Sequence, residues 1–114
     1  MNIEELKKII KNKNISLATI GKDKPHNIVT EANDIINGQL IITDNFMKKT
    51  VENIKQNPYV SIVFWEDDGW GLDGKAEYYD SGKWLDFVKA LPENKGFPAK
   101  GAVVINVLKI RELG

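Results

Sequence analysis

Six short runs rich in β-branched and aromatic residues, each bounded by turn signals, constrain this chain more than any other feature: 16–20, 26–31, 39–43, 59–65, 70–79 and 102–110. The first two are separated by a cluster holding Gly21 and Pro25, and the third follows Asn37-Gly38, a pair that strongly favours a tight hairpin. Three stretches change to the helical period. Ile3, Leu6, Ile9 and Ile10 mark a helix over 3–10 behind the cap residue Asn2, and Met47, Val51 and Ile54 mark one over 47–56 that Asn57-Pro58 ends. Trp84, Phe87, Val88 and Leu91 mark a third over 81–91, closed by Pro92 and followed by a polar loop to Lys100. Helices and strands do not alternate as parallel βαβ units require, so the sheet is expected to be antiparallel and to close into a barrel, in one α+β domain over 1–114. Gly74, inside the fifth run, signals a bulge or a close backbone approach.

Composition then narrows the chemistry. Lys plus Arg and Asp plus Glu number 16 each, so no overall field draws the chain to nucleic acid or to an anionic membrane, and neither is expected as a partner. The absence of cysteine excludes thiolate nucleophiles, iron–sulfur clusters and cysteine-ligated zinc, and one histidine, His26, excludes a histidine-rich metal site. No metal is expected, and difficult chemistry on such a chain calls for a borrowed cofactor. The longest apolar stretch, 102–108, is interrupted by Asn106 and is far short of the roughly 20 residues that span a bilayer. Glu4, Glu5, Lys7 and Lys8 break up the opening residues, unlike the continuous core of a secretory leader, so a cytoplasmic location is expected.

The most informative segment is 40–53, where a buried strand, a polar turn and then Lys48, Lys49 and Thr50 lead into a helix. Unsatisfied amides at a helix start donate to anions, the helix dipole adds positive potential, and ammonium and hydroxyl groups supply further donors. A phosphate would be held there by charge-assisted hydrogen bonds of about 1.5–3 kcal/mol each. The same residues also describe a solvated lysine pair on a surface helix. Two cations in a first turn oppose the dipole by a few tenths of a kcal/mol each unless an anion is present, which favours the anion.

Taken in order, the segments 25–31, Asn37-Gly38, 42–44, 47–50, Asn57-Pro58, 60–65 and 72–76 resemble the FMN-binding split barrels related to pyridoxamine-phosphate oxidase, over nearly the whole chain. Within that group the sequence is most similar to the small FMN-binding proteins of anaerobic bacteria. The resemblance implies an antiparallel six-stranded split β-barrel of Greek-key type with short flanking helices, FMN as cofactor, and a homodimer with FMN at the subunit interface. It implies that Lys48, Lys49 and Thr50 grip the FMN phosphate, that Ile42 and Thr43 form the strand end before them, and that Ile28, Val29, Thr30 and Glu31 line the flavin ring with their backbone. Two departures stand out: Asn27 where the oxidases carry arginine, and Met47-Lys48-Lys49 where they carry Ser-Arg-Lys. An ammonium cannot make the bidentate fork of a guanidinium, and the oxidases' carboxy-terminal extension has no counterpart here, so true pyridoxamine-phosphate oxidase activity is not expected.

Trp65 and Trp84 fall in core-like patterns and are expected to pack inside, while Trp70, between Gly69 and Gly71, is the expected exposed ring. Glu66, Asp67 and Asp68 lack the spaced ligands of a calcium loop, and His26 reads as a surface residue of a turn. Glu31, were it to point at the ring, would disfavour the anionic reduced flavin. No nucleophile and base pair stands out, so the catalytic residues are unknown, and three readings stay open: an FMN-dependent oxidoreductase with an unidentified redox partner, a non-enzymatic FMN electron carrier, or a haem or deazaflavin binder on the same barrel.

Overall fold

The first helix, α1 (Ile3–Ile10), starts at a complete capping box: Asn2 Oδ1 accepts from the Glu5 amide at 2.9 Å, and the Glu5 carboxylate accepts from the Asn2 amide. It buries Leu6 and Ile10 in the barrel. The computed structural model describes residues 1–113, and after α1 the chain runs β1 (Lys13–Ile20), β2 (Pro25–Ala32), β3 (Asp34–Ile36), β4 (Gln39–Asp44), α2 (Lys49–Gln56), β5 (Tyr59–Glu66), β6 (Asp68–Tyr79), α3 (Lys83–Lys89), a single 3-10 turn (Pro92–Asn94) and β7 (Gly101–Glu112). One sheet holds all the strands in the order β2-β1-β5-β6-β7-β4-β3, every neighbouring pair antiparallel. The sheet curls into a split barrel, as expected, with seven strands where six were expected. The additional strand is the three-residue β3, too short to show a period, which pairs with β4 across the Asn37-Gly38 turn.

The main core fills the inside of the curl with Ile15 and Leu17 of β1, Leu40 and Ile42 of β4, Val60, Ile62 and Phe64 of β5, Leu72 of β6 and Val103 and Ile105 of β7. A second core lies on the opposite face of β4 and β7, where Ile41, Ala102 and Val104 pack under Val88 of α3. Those two strands are buried on both sides, which explains why their sequences are continuously apolar instead of alternating. The expected irregularity at Gly74 is a register shift of the β6–β7 ladder, where the missing β carbon lets the Asn106 carbonyl approach.

Two tryptophans depart from expectation. Trp65 is 68% exposed, because Val60, Ile62 and Phe64 take the inward positions of β5 and the pleat turns the next residue outward. Its ring lies over Gly69, the cross-strand partner that leaves room for it. Trp70, expected exposed, is half-buried against the main core, and Trp84 packs against the second core as expected. The helices also begin late. Asp44 holds the Met47 amide in a turn, so α2 starts at Lys49, and Gly82 at φ 83° keeps 81–82 out of α3.

The barrel seam lies between β2 and β4, which are not ladder neighbours. At one end the two strands are clasped by Asn33: its amide donates to the Ile41 carbonyl at 2.9 Å, and its Oδ1 accepts from the Thr43 amide and hydroxyl at 2.8 and 2.7 Å. Asn94 fastens the same point from outside, donating to Thr43 Oγ1 and to the Val88 carbonyl.

Candidate functional site

Beyond the clasp, a cavity of about 470 Å³ occupies the gap between β2 and the turn from β4 into α2, within the usual size of small-molecule sites, about 300–1,000 Å³. Of the residues singled out by sequence, Ile28, Val29, Thr30, Thr43, Lys48, Lys49 and Thr50 all line it. Two others do not. Ile42 is wholly buried in the main core, and Glu31 belongs to the outer side of β2, where its carboxylate accepts from Asn12 Nδ2 at 2.7 Å. Glu31 therefore does not point at a ligand in the cavity, a correction to the idea that it tunes a ring there. Asn27 likewise faces away and accepts from the Ser16 hydroxyl.

The cavity has a cationic and hydroxylic side and an apolar side. On the first, α2 begins at Lys49 with no side chain capping it, in contrast to the self-capped α1, so its first-turn amides are left to an outside acceptor. Lys48 makes no ion pair among the described residues; Lys49 lies 3.6 Å from Glu52, but both side chains are 55% exposed and water screens the pair. Thr50 is buried at the same helix start. On the apolar side stand Ile28, Phe46 (75% exposed) and Phe97 (52% exposed), with the two phenylalanine rings edge to face at 6.3 Å, while Val29, 75% exposed, borders the cavity from the other face of β2.

Sequence reasoning missed His26, Asn45, Phe46, Met47 and Phe97 as lining residues. His26, expected at the edge between a turn and the run 26–31, lies inside β2, which begins at Pro25, and the pleat sets His26, Ile28 and Thr30 on one face. Phe97 comes from the loop before β7, a long way off in sequence. It is delivered by tertiary bonds: the Ala99 amide to Asn45 Oδ1 at 2.8 Å and the Lys100 amide to the Asp44 carbonyl at 2.9 Å. The signal available was an aromatic residue between Gly96 and Pro98 in an otherwise polar loop.

Under the turn lies Asp44, 1% exposed. Its Oδ1 accepts from the Met47 amide at 2.7 Å and its Oδ2 from the Tyr78 hydroxyl at 2.6 Å, with Lys100 Nζ 3.9 Å away. Burial and then the hydrogen bond to Asp44 push the Tyr78 phenol well above its ordinary value, so it stays a donor.

Arranged this way, the site can bind an anionic group at the helix start and an apolar planar group along β2 and the phenylalanines. The family model for pyridoxamine 5'-phosphate oxidase matches residues 3–114. An uncharacterized protein of Methanocaldococcus jannaschii is 33% identical over 118 residues, covering 96% of this chain and 79% of that protein. Among solved structures, HupZ of Group A Streptococcus superimposes with a TM-score of 0.84 at 23% identity, covering 99% of this chain and 94% of its own. An FMN-binding protein of Syntrophomonas wolfei subsp. wolfei superimposes at 0.75 with 18% identity, covering 97% and 88%.

Proposed function

The chain belongs to the pyridoxamine 5'-phosphate oxidase family, and we propose that it is a flavin redox protein that binds FMN in the cavity between β2 and the start of α2. The observation that carries this reading is the pairing, in one cavity of about 470 Å³, of an uncapped, lysine-bearing helix start with an apolar side formed by Ile28, Phe46 and Phe97. Lys48, Lys49, Thr50 and the first amides of α2 hold the phosphate; Ile28, Val29 and Thr30 form the floor for the ring, and Thr43 closes the strand end. Glu31 and Ile42 act from behind, as parts of the strands that keep the floor in place. The FMN-binding protein of Syntrophomonas wolfei, on the same fold, adds support.

FMN would supply the hydride or electron transfer, while this chain orients the ring and shields one side of it from water. Pyridoxamine-phosphate oxidase activity itself is not part of the proposal. A non-enzymatic electron carrier is the second reading, favoured by a cavity in which His26 is the sole imidazole and no carboxylate is present. Stopped-flow reduction by nicotinamide cofactors separates the two: rapid reduction marks an oxidoreductase, and inertness to them a carrier.

The proposal includes a homodimer with FMN at the interface, since Val29, Phe46 and Phe97 leave the cavity rim apolar and exposed. It also includes a cytoplasmic location. Among the described residues no helix is long and apolar enough to cross a membrane.

The test is the visible spectrum of the purified protein mixed with FMN and desalted. Retained flavin bands that disappear in a Lys48→Ala, Lys49→Ala double variant are the expected result. A colourless wild-type protein would sink the FMN reading, and bands of another shape would point to haem or a deazaflavin.

A further inference from the structure

We propose that Asp44 is a positioning residue for the phosphate end of the site: its buried carboxylate fixes the 45–48 turn through the Met47 amide and ties that turn to β6 and to the loop before β7. The inference rests on the FMN reading for its ligand but on the geometry of this chain for its mechanism. Asp44 is the last residue of β4 and does not itself line the cavity, yet its two oxygens bind groups from two different parts of the chain, the lining turn and β6. Oδ1 accepts from Met47, one residue before Lys48, and Oδ2 accepts from Tyr78, which is rooted in β6. Its carbonyl accepts from the Lys100 amide, and Lys100 Nζ donates to the Met47 carbonyl at 2.9 Å. The turn is therefore held from both ends of a short span by one node.

A carboxylate suits this node better than a neutral acceptor for an electrostatic reason. Met47 N–H and the Tyr78 hydroxyl are both donors, and an ionised carboxylate accepts on both oxygens without needing a proton of its own. The direction in which the Lys48 and Lys49 side chains and the first amides of α2 leave the turn follows from where Met47 is pinned. Without the pin the same donors remain but no longer converge, and a phosphate loses more than a neutral ligand does. Tyr78 extends the same control, since it anchors the turn to β6, a central strand paired on both sides.

The experiment compares FMN with riboflavin, which lacks the phosphate, by quenching of flavin fluorescence in wild type, Asp44→Ala, Asp44→Asn and Tyr78→Phe. Asp44→Ala is expected to weaken FMN about tenfold or more, the loss typical of one charge-assisted hydrogen bond, while riboflavin changes less than about threefold. Asp44→Asn, which keeps the shape and one acceptor but not the charge or the second acceptor, recovers only part of that loss, and Tyr78→Phe, which removes one of the two donors, also falls between wild type and Asp44→Ala. Hydrogen exchange of the amides of 45–50 in the cofactor-free protein is expected to quicken in Asp44→Ala and Tyr78→Phe, with exchange of β5 and β6 unchanged. An unaltered ratio of FMN to riboflavin affinity, or equal weakening of both in step with a fall in Tm, would overturn the proposal. If wild type binds neither flavin, the cofactor reading fails by itself, and the exchange data then decide whether Asp44 fixes the turn.

Discussion

Replacing Asn33 with alanine would leave the Thr43 amide, buried at the barrel seam, without its acceptor, and would also remove a donor from Glu93. A buried donor left unsatisfied costs about 1–3 kcal/mol, so Asn33→Ala is expected to lower unfolding stability by that amount in urea titration. It should also weaken FMN, because Thr43 lines the cavity. His26 offers a second single-residue test: His26→Ala is expected to reduce FMN affinity severalfold, read by the same fluorescence quenching, whereas Asn27→Ala, on the other face of β2, should leave it unchanged. At this level the basic cluster was legible in the sequence because Lys48, Lys49 and Thr50 are contiguous and act with the local backbone. The facing of His26 was not, since it depends on where β2 begins, and a shift of one residue exchanges the faces of a strand.

Among the elements, the 3-10 turn of Pro92–Asn94 fastens the loop that carries Phe97, and its Glu93 accepts from Asn12 and Asn33 at 2.7 and 3.1 Å. Burial by itself would raise the Glu93 carboxyl, but hydrogen bonds from its own amide, Asn12 and Asn33, with the Lys11 charge, outweigh it and hold it below the usual 4.5. A carboxyl depressed in the folded state stabilises the fold above its ordinary value and ceases to do so as pH falls through the lowered one. Stability from urea titrations should therefore drop below about pH 4.5, with a shallower drop in Glu93→Gln. The β6–β7 bulge gives a second element-level test. A β carbon at Gly74 would meet the Asn106 carbonyl oxygen and Ile105 Cγ2 at 2.6 Å each, so Gly74→Ala should cost about 1–3 kcal/mol and lower Tm. Every long strand and all three helices were legible from period and punctuation, as was the bulge. The short β3 was not, and neither were the turns that delay α2 and α3, because Asp44 and Gly82 act there through contacts and dihedrals that no hydrophobic period records.

For the molecule as a whole, the outer face of the sheet carries Ile20, Tyr59, Trp65 and Leu108 as well as the apolar cavity rim, all exposed in one chain. Light scattering on the FMN-loaded protein is expected to give twice the chain mass, and a Phe46→Ser, Phe97→Ser variant is expected to shift it toward a single chain. The barrel architecture was legible from the order of strands and helices, but the exposed Trp65 was not, since aromatic character alone does not say which side of a pleat a residue takes. Topology also has a kinetic side. β7 is the strand between β6 and β4, and without it the ladder separates into a four-stranded β2-β1-β5-β6 piece and a β3–β4 hairpin. Both of those pieces are made of contacts between near neighbours in the chain, apart from the β1–β5 pairing, and can form while synthesis is still under way. Where the two pieces form first, β7 joins their edges, and the Phe97 wall and the Lys100 link to Asp44 come with it. A chain without β7 in place would therefore hold an open hairpin edge, and the pocket would be complete only once that strand has docked.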